Sequence, residues 1–181
     1  MKLKKLAYQK AQGDVKVSSN FEFWGWEKKP RTMLRFIKPG DIFCFKLSES
    51  SYVFGRVISK IMTGHVVEIL GEPKSCPEVN DSDILSSSRK VPPFVLDSYS
   101  LFDRKLEGEW RVVGRQNNFA PEKVDDVYFT YGMAGSCKKV NVFGEEHAIT
   151  EKESKKIPLL SPMADEQVKE ILKTGKLLYW S

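Results

Sequence analysis

The sequence has no long apolar run and no set of cysteines with an obvious pairing. No stretch approaches the roughly 20 apolar residues of a membrane-spanning helix, and the basic N-terminus lacks the continuous apolar core of a secretory signal. The cysteines Cys44, Cys76 and Cys137 lie far apart and are odd in number, so they predict neither a disulfide framework nor a zinc site. Cys44 is expected to be buried, on the face of its strand opposite to Phe43 and Phe45. Cys137 follows a Gly-Ser pair and is expected to be more exposed. We therefore expect a protein of the reducing cytoplasm that does not insert into membranes.

Catalytic and cofactor motifs are also missing. The two histidines, His65 and His147, have no second histidine at metal-ligand spacing, and no Walker or dinucleotide-binding glycine motif occurs. Asp125 and Asp126 are adjacent, and neighbours in a strand point to opposite faces, so they form no acid–base pair by themselves. We expect no enzymatic activity, cofactor or metal. A hydrolase or transferase that pairs a histidine with a thiol or carboxylate is the least favoured alternative.

Charge is unevenly distributed along the chain. The 181 residues carry 29 Lys and Arg against 24 Asp and Glu, a net charge of +5. Residues 1–39 hold ten of the basic residues and only three of the acidic ones, so the surplus belongs to the N-terminal segment. Such a segment is either a solvated leader or an arm that binds nucleic acid, a membrane surface or an acidic protein.

Residues 36–59 predict a β-hairpin. Residues 38–41 read Lys-Pro-Gly-Asp, which favours a turn because proline presets φ and glycine accepts a positive φ. Residues 42–47 are mostly the aromatic and β-branched types that are typical of strands. A second strand is predicted at 52–58, interrupted by its Gly-Arg pair.

Further strand-like segments extend this pattern. Aromatic alternation and the Trp-Gly-Trp triplet predict a strand with a glycine bulge or bend at 21–28. Other strands are predicted at 65–70, 94–101, 110–113, 127–131 and 139–143. For the first twenty residues we expect either weak order or a short strand at 15–17. Short turns between successive strands indicate a meander. The predicted fold is mainly β (α+β): a strongly twisted antiparallel sheet or a small barrel, with a C-terminal helix.

Two helices are predicted as well. The segment 71–93 is too long for a loop without secondary structure in a compact domain. A short helix that starts near residue 80 or 81 explains Ile84 and Leu85 as its apolar face. The Ser-Pro pair at 161–162 is typical of a helix start. An apolar stripe follows it, and Gly175 is a suitable C-terminal cap.

We divide the chain into three parts of one globule. Residues 1–34 form a basic, aromatic leader that packs on the body. Residues 35–150 form the β-rich domain, and residues 151–181 form the C-terminal helix and tail. Residues 177–180 predict either a terminal strand or a docked tail.

The hairpin also carries a family resemblance. Residues 35–43 read Arg-Phe-Ile-Lys-Pro-Gly-Asp-Ile-Phe, and residues 52–57 read Tyr-Val-Phe-Gly-Arg-Val. Together they resemble the opening of the immunity protein 26 family, whose members begin with a Gly-Asp-aromatic strand and continue with an aromatic-Gly-Arg-Val strand. The resemblance implies a non-enzymatic bacterial protein of polymorphic-toxin and contact-dependent growth inhibition systems, which binds and neutralises a cognate toxin.

Two sets of residues follow from this resemblance. The motif residues are predicted to build the scaffold: Gly40, Asp41, Phe43, Gly55, Arg56 and Val57. For Arg56, a salt bridge inside the fold, to Asp41 or to another carboxylate, is favoured over a contact with the partner. The candidate toxin-binding residues lie in the aromatic strand and in the acidic segments: Trp26, Glu78, Asp81, Asp83, Asp125 and Asp126. Because the chain is basic overall, inhibition of a nuclease needs these local acidic regions or a site away from the catalytic groove.

The competing hypothesis is a small β-barrel that binds nucleic acid through residues 1–39. Trp24 and Trp26 lie among arginines and lysines, a mixture that can stack on bases and hold phosphates. The same mixture is typical of protein interfaces. We expect Trp24 to cover the barrel and leave the role of Trp26 open, and nucleic acid is the less favoured partner.

Overall fold

The computed structural model describes residues 20–133 and 135–180, so the strand predicted at 15–17 lies outside the described residues. Nine strands are found in this part of the chain: β1 (Phe21–Phe23), β2 (Asp41–Ser48), β3 (Ser51–Ile61), β4 (Gly64–Lys74), β5 (Phe94–Leu96), β6 (Trp110–Gln116), β7 (Tyr128–Tyr131), β8 (Lys138–Asn141) and β9 (Glu146–Ala148). The α-helices are α1 (Asp81–Ser86), α2 (Glu151–Ser154) and α3 (Asp165–Thr174). A 3-10 turn at Leu34–Phe36 and a π-helical turn at Tyr99–Arg104 complete the elements.

The strands form two antiparallel sheets. The large sheet has the order β1-β6-β2-β3-β4-β5, and the small sheet has the order β7-β8-β9. The predicted mainly β fold with a C-terminal helix is therefore confirmed, and so is the meander, which runs from β2 to β5. The barrel alternative is wrong, because the large sheet stays open with β1 and β5 at its edges.

The motif residues build the β2–β3 hairpin. Gly40 has φ of +88°, and a Cβ there would lie 2.5 Å from the Gln116 carbonyl oxygen, so the turn requires glycine. The Asp41 carboxylate accepts the Lys38 backbone N–H at 2.9 Å. Gly55 is paired with Phe43 on β2, and a Cβ at Gly55 would lie 2.2 Å from the Phe43 ring. Strand β3 runs through Gly55 without the predicted interruption.

One face of the large sheet carries the main core. Phe45 stacks on Trp110 with ring centroids 3.8 Å apart, and Phe43 lies at the edge of the same aromatic group. Helix α3 packs here through Val168 and Ile171, which are 0% and 3% exposed. The helix and the hairpin therefore share one hydrophobic core.

The opposite face of the large sheet carries two separate apolar clusters. At one end, Cys44 and Phe54 pack under the 71–86 segment through Ile84 of α1. The prediction that Leu85 shares this apolar face was wrong, because adjacent helical residues point about 100° apart and Leu85 is 68% exposed. At the other end, Ile58 and Val66 pack against the small sheet. Cys44 thus lies opposite Phe43 and Phe45, as predicted from strand alternation.

The strand predicted at 94–101 is shorter than expected. It ends at Leu96, and the π-helical turn follows from residue 99. The Asp97 carboxylate accepts the Ser100 N–H at 3.1 Å, and the Asp97 carbonyl accepts the Leu101 N–H at 3.1 Å. A polar side chain that bonds local backbone in this way competes with the strand ladder.

The C-terminal helix starts later than residues 161–162 predict. Met163 is held in extended conformation, because its N–H donates to Val95 and its carbonyl accepts from Asp97. The helix begins once that bridge ends, and the Gln167 side chain accepts the Ala164 N–H at 2.9 Å. Gly175 ends it with φ of +68°, as predicted. Residues 177–180 form a docked tail, with Leu177 buried and the Leu178 carbonyl accepting the Leu159 N–H at 2.8 Å.

Candidate interaction surface

The Trp-Gly-Trp triplet forms a rigid turn at the end of β1. The backbone N–H groups of Trp24 and Gly25 both donate to the Val113 carbonyl, at 2.9 and 3.1 Å. Gly25 has φ of +80°, a conformation that favours glycine. The turn is therefore held on β6, and its side chains have defined positions.

A groove lies between this turn and the segment before α1. Its cavity measures about 530 Å³. We call it the acidic groove, and its lining residues are Phe23, Trp24, Gly25, Trp26, Glu27, Pro77, Glu78, Val79 and Val113. The Glu27 side chain is 88% exposed and contacts Arg111 at 3.4 Å. Glu78 is exposed, and its carboxylate forms no ion pair with any residue that the structure describes. Apolar walls and two exposed carboxylates, one of them without an ion-pair partner among the described residues, suit a basic, partly apolar partner surface.

Trp26 contributes to this groove as a buried side chain. It is 9% exposed and meets Tyr52 edge-on, with ring centroids 5.4 Å apart. The Arg111 guanidinium stacks 4.4 Å from the Trp26 ring centroid and donates to the Trp26 carbonyl at 2.9 Å. Trp26 therefore shapes the groove wall, and only a small part of its ring is available to a partner.

The remaining predicted acidic residues have different surroundings. Asp83 caps α1 by accepting the Asn80 N–H at 3.0 Å and pairs with Lys74 at 2.6 Å. The hydrogen bond from Lys74 holds the pKa of the Asp83 carboxyl below its usual range. Asp81 is partly exposed in the first turn of α1. Asp125 and Asp126 are exposed in the turn before β7 and do not line the acidic groove.

Of the candidate toxin-binding residues, the structure thus brings Trp26 and Glu78 into one groove. Asp81 and Asp83 follow closely along the chain in α1. The toxin-binding role of all six residues stays a prediction.

Arg56 lies in a separate cleft, on the face of the large sheet opposite the main core. Residues of α1 and of the 116–123 segment line this cleft. The cleft measures about 430 Å³ and centres on Glu68, whose side chain is 3% exposed. Arg56 pairs with Glu68 at 2.6 Å, and Arg89 pairs with the other carboxylate oxygen at 2.6 Å. A charge as buried as that of Glu68 needs such partners.

The predicted internal salt bridge of Arg56 is therefore confirmed, with Glu68 as the carboxylate. Asp41 pairs instead with Arg115 at 2.6 Å. The remaining Arg56 donor reaches Gln116 at 2.6 Å, and the guanidinium lies 4.4 Å from the Phe119 ring centroid. Arg56 thus fastens the sheet to the 116–119 segment.

Sequence reasoning missed Glu68 and Arg89. A signal for Glu68 was present, since it is the one charged residue between apolar neighbours in the predicted strand 65–70. Arg56 is likewise the one charged residue of the predicted strand 52–58, and the two residues are direct cross-strand partners. Single charges in adjacent apolar strands are typical of a buried pair.

In the part of the chain that the structure describes, no hydrogen bond joins a thiol to a histidine. Burial raises the pKa of the Cys44 thiol, so this cysteine is a neutral core residue. Cys137 is buried as well, 5% exposed, so the expectation of a more exposed thiol was wrong, and Cys76 is the exposed one. Within residues 20–133 and 135–180, no group of three or more His, Cys, Asp or Glu side chains could hold a metal ion. None of the helices described there is long and apolar enough to cross a membrane.

Comparisons with known proteins give one finding. The description "Immunity protein 26" belongs to a family whose sequence pattern matches residues 38–141, which is more than half of the chain. Searches of curated proteins and of solved structures returned no significant match. The matched range includes the turn at Gly40, the Gly55-Arg56 pair and the buried Glu68. The chain therefore belongs to the immunity protein 26 family.

Proposed function

We propose that this protein is a bacterial immunity protein that binds a cognate toxin in the cytoplasm and neutralises it without catalysing a reaction. The family match over residues 38–141 is the observation that carries this proposal. The toxin is the secreted effector of a polymorphic-toxin or contact-dependent inhibition system. Neutralisation requires a preformed surface that is complementary to the toxin.

The acidic groove is the surface that we assign to the toxin. The motif residues are used inside the fold: Phe43 packs against Gly55, and Arg56 neutralises Glu68. Glu27 and Glu78, by contrast, are exposed carboxylates that line the groove together with apolar residues. Glu27 contacts Arg111 at 3.4 Å but remains 88% exposed. A toxin surface with basic residues around an apolar side chain fits this groove, and the opposite charges would speed capture.

The proposal is tested by co-expression with the C-terminal toxic domain encoded beside the gene for this chain. We expect growth to continue when both proteins are present and the two to co-purify. A toxic domain that still arrests growth in the presence of this chain would refute the immunity function.

A double variant with reversed charges tests separately whether the toxin binds at the acidic groove. Glu27→Lys combined with Glu78→Lys should weaken toxin binding by roughly tenfold or more, about 1.4 kcal/mol, with unchanged thermal unfolding because both side chains are exposed. The matched control is Glu49→Lys with Glu170→Lys, which reverses two exposed carboxylates outside the groove. If the groove variant binds and protects like the control, the toxin docks elsewhere although the immunity function stands.

A further inference from the structure

Trp24 also lines another groove, which is distinct from the acidic groove and from the cleft around Arg56. Its cavity measures about 490 Å³. We call it the basic groove, and its lining residues are Trp24, Lys29, Arg31, Thr32, Met33, Phe36, Lys38, Asp41, Val112 and Arg115. It lies outside the acidic groove assigned to the toxin, with which it shares only Trp24.

Two of the four cations that line the basic groove are neutralised. Arg31 pairs with Asp103 at 2.6 Å, and that carboxylate also accepts the Leu34 N–H at 2.9 Å. Arg115 pairs with Asp41 at 2.6 Å. These two pairs are part of the scaffold and add little net charge to the groove.

The other two cations have no carboxylate partner among the described residues. Lys29 lies over the Trp24 ring, with its Nζ 3.7 Å from the ring centroid, and Lys38 is exposed in the turn before β2. In sequence, residues 1–19 precede this region and add five lysines against one aspartate, so they do not supply the missing negative charge. The groove therefore carries a positive charge that an acidic partner would balance.

The basic groove also has apolar lining residues. Met33 is 38% exposed and Phe36 is 48% exposed, and both line the groove together with the half-buried Trp24. Exposed apolar side chains among charged ones are typical of a protein interface. An apolar side chain of the partner would be desolvated against these residues, which is where most binding energy arises.

The aromatic faces favour a peptide over single-stranded nucleic acid. Bases bind by stacking on open aromatic faces. Here Lys29 covers one face of Trp24, and Arg35 lies over Phe36, 4.9 Å from its ring centroid.

We propose that the basic groove docks an acidic peptide segment of a partner protein, with one aromatic or aliphatic side chain between its carboxylates. The carboxylates face Lys29 and Lys38, and the apolar side chain contacts Met33 and Phe36. This interaction surface is additional to the toxin-neutralising one and does not depend on it.

The test uses the full chain and a fluorescein-labelled synthetic peptide of glutamates around a central Leu-Phe pair. Fluorescence anisotropy should show saturable binding that weakens as salt rises. Lys29→Glu with Lys38→Glu should weaken binding by roughly tenfold or more. Met33→Ser with Phe36→Ser should weaken it similarly, because the apolar contact is lost.

Matched controls change the same residue types elsewhere. Lys152→Glu with Lys156→Glu reverses two exposed lysines in and beside α2, and Met62→Ser changes a methionine that is 81% exposed in the β3–β4 turn. Both controls should bind the peptide like the unchanged protein. If a groove variant fails to fold, the peptide is changed instead of the protein. Unlabelled peptides in which lysines replace the glutamates, or which lack the Leu-Phe pair, should compete poorly with the labelled peptide for the unchanged protein.

Three results would overturn the proposal. They are no binding of the peptide, equal binding by the groove variants and their controls, and tighter binding of an oligothymidine at the same groove. Growth protection against the toxin is scored in the same variants, and its retention separates this surface from the neutralising one.

Discussion

Gly55 shows why the family motif contains a glycine in the middle of a strand. Glycine is normally unfavourable there because it has no side chain to pack. At this position the Phe43 ring occupies the space of the missing side chain, 2.2 Å from where a Cβ would lie. Phe43 then contacts Trp110 and Phe102 in the main core. The glycine is thus a packing residue, and the aromatic residue of the motif needs it.

The contribution of Arg56, the next residue, to stability can be measured by comparison with that of an exposed ion pair. Arg56→Met should destabilise the fold by roughly 3 kcal/mol, because it leaves the buried Glu68 with Arg89 as its only charged partner. Adding Glu68→Gln should recover part of that loss, because the uncompensated charge is removed. Urea unfolding of the single and double variants measures both effects.

Lys90→Ala is the matched control. Lys90 pairs with Glu72, whose side chain is 75% exposed, and exposed pairs contribute about 0–1 kcal/mol. If Arg56→Met is as stable as Lys90→Ala but no longer protects cells from the toxin, Arg56 is a partner contact and not a scaffold residue.

His65 is the other residue whose environment makes a measurable prediction. It is 0% exposed, and neither ring nitrogen has a hydrogen-bond partner of normal geometry among the described residues. Burial lowers the pKa of His65 to about 4, and the positive charge of Lys60 adds to this, while the nearby Ile37 carbonyl opposes it. The folded state therefore holds this imidazole neutral at neutral pH.

The difference in the pKa of His65 between the folded and unfolded states sets the direction in which pH changes the stability. The unfolded chain protonates His65 near pH 6.5, whereas the folded chain does so near pH 4. The free energy of unfolding should thus fall as the pH drops from about 6.5 to about 4. The total loss is about 3 kcal/mol, at about 1.4 kcal/mol per pKa unit. Below this range the contribution of His65 should not change further.

The measurement is urea unfolding across that pH range for the unchanged protein and for His65→Gln, in which this contribution should be absent. His147→Gln, which changes an exposed histidine, should keep the full pH dependence. An NMR titration of the unchanged protein provides a second measurement. A His65 that titrates near pH 6.5 in the folded state would contradict the argument.

Among the elements, α1 and the segment before it place the acidic groove. Asn80 and Asp83 form a capping box, in which the Asn80 side chain accepts the Asp83 N–H and the Asp83 carboxylate accepts the Asn80 N–H, both at 3.0 Å. Ile84 anchors the helix on the sheet. The groove residues Pro77, Glu78 and Val79 are thus held between a capped helix and β4.

Helix α3 lies outside the range that matches the family, yet it is part of the same core. Ile171 is 3% exposed in the cluster that contains Phe43 and Trp110, and Asp165 accepts the Trp110 indole N–H at 2.7 Å. Ile171→Ala should therefore destabilise the whole chain by about 2–5 kcal/mol. Tryptophan fluorescence and circular dichroism should still report one coincident unfolding transition.

Glu170→Ala is the neighbouring control and should change stability by less than about 0.5 kcal/mol, because its side chain is exposed. Two separated transitions, or an Ile171→Ala protein as stable as the control, would show that α3 is an independent appendage.

At the scale of the whole molecule, the net charge of +5 hides two surfaces of opposite sign. The acidic groove and the basic groove share Trp24 in their walls. Composition alone favours an acidic partner, such as nucleic acid. In the folded chain, exposed carboxylates and exposed lysines line different grooves, and for this reason we propose a basic toxin for the one and an acidic segment for the other.

Prediction from sequence succeeded where the chain is governed by nearby residues. The Pro-Gly turn, the capped α1 and the Gly175 helix end were predicted from local chemistry and are confirmed. Prediction failed where the local structure or burial depends on contacts with residues far away in the sequence. The later start of α3 depends on Met163 pairing with the Val95–Asp97 region, and the burial of Cys137 depends on how distant parts of the chain pack around it.

The turns, most of the strands, the C-terminal helix and the family can be read from the amino-acid sequence, because each of these depends on residue type and short spacing. The open sheet, the pairing of Arg56 with Glu68 and the groove that Glu27 and Glu78 share become visible only in the folded chain. These outcomes depend on contacts between residues far apart in the chain, such as the 60-residue separation of Arg56 and Gln116. Local propensity carries no information about such contacts, whereas burial makes each unpaired charge costly and so selects the arrangement in which the charges meet.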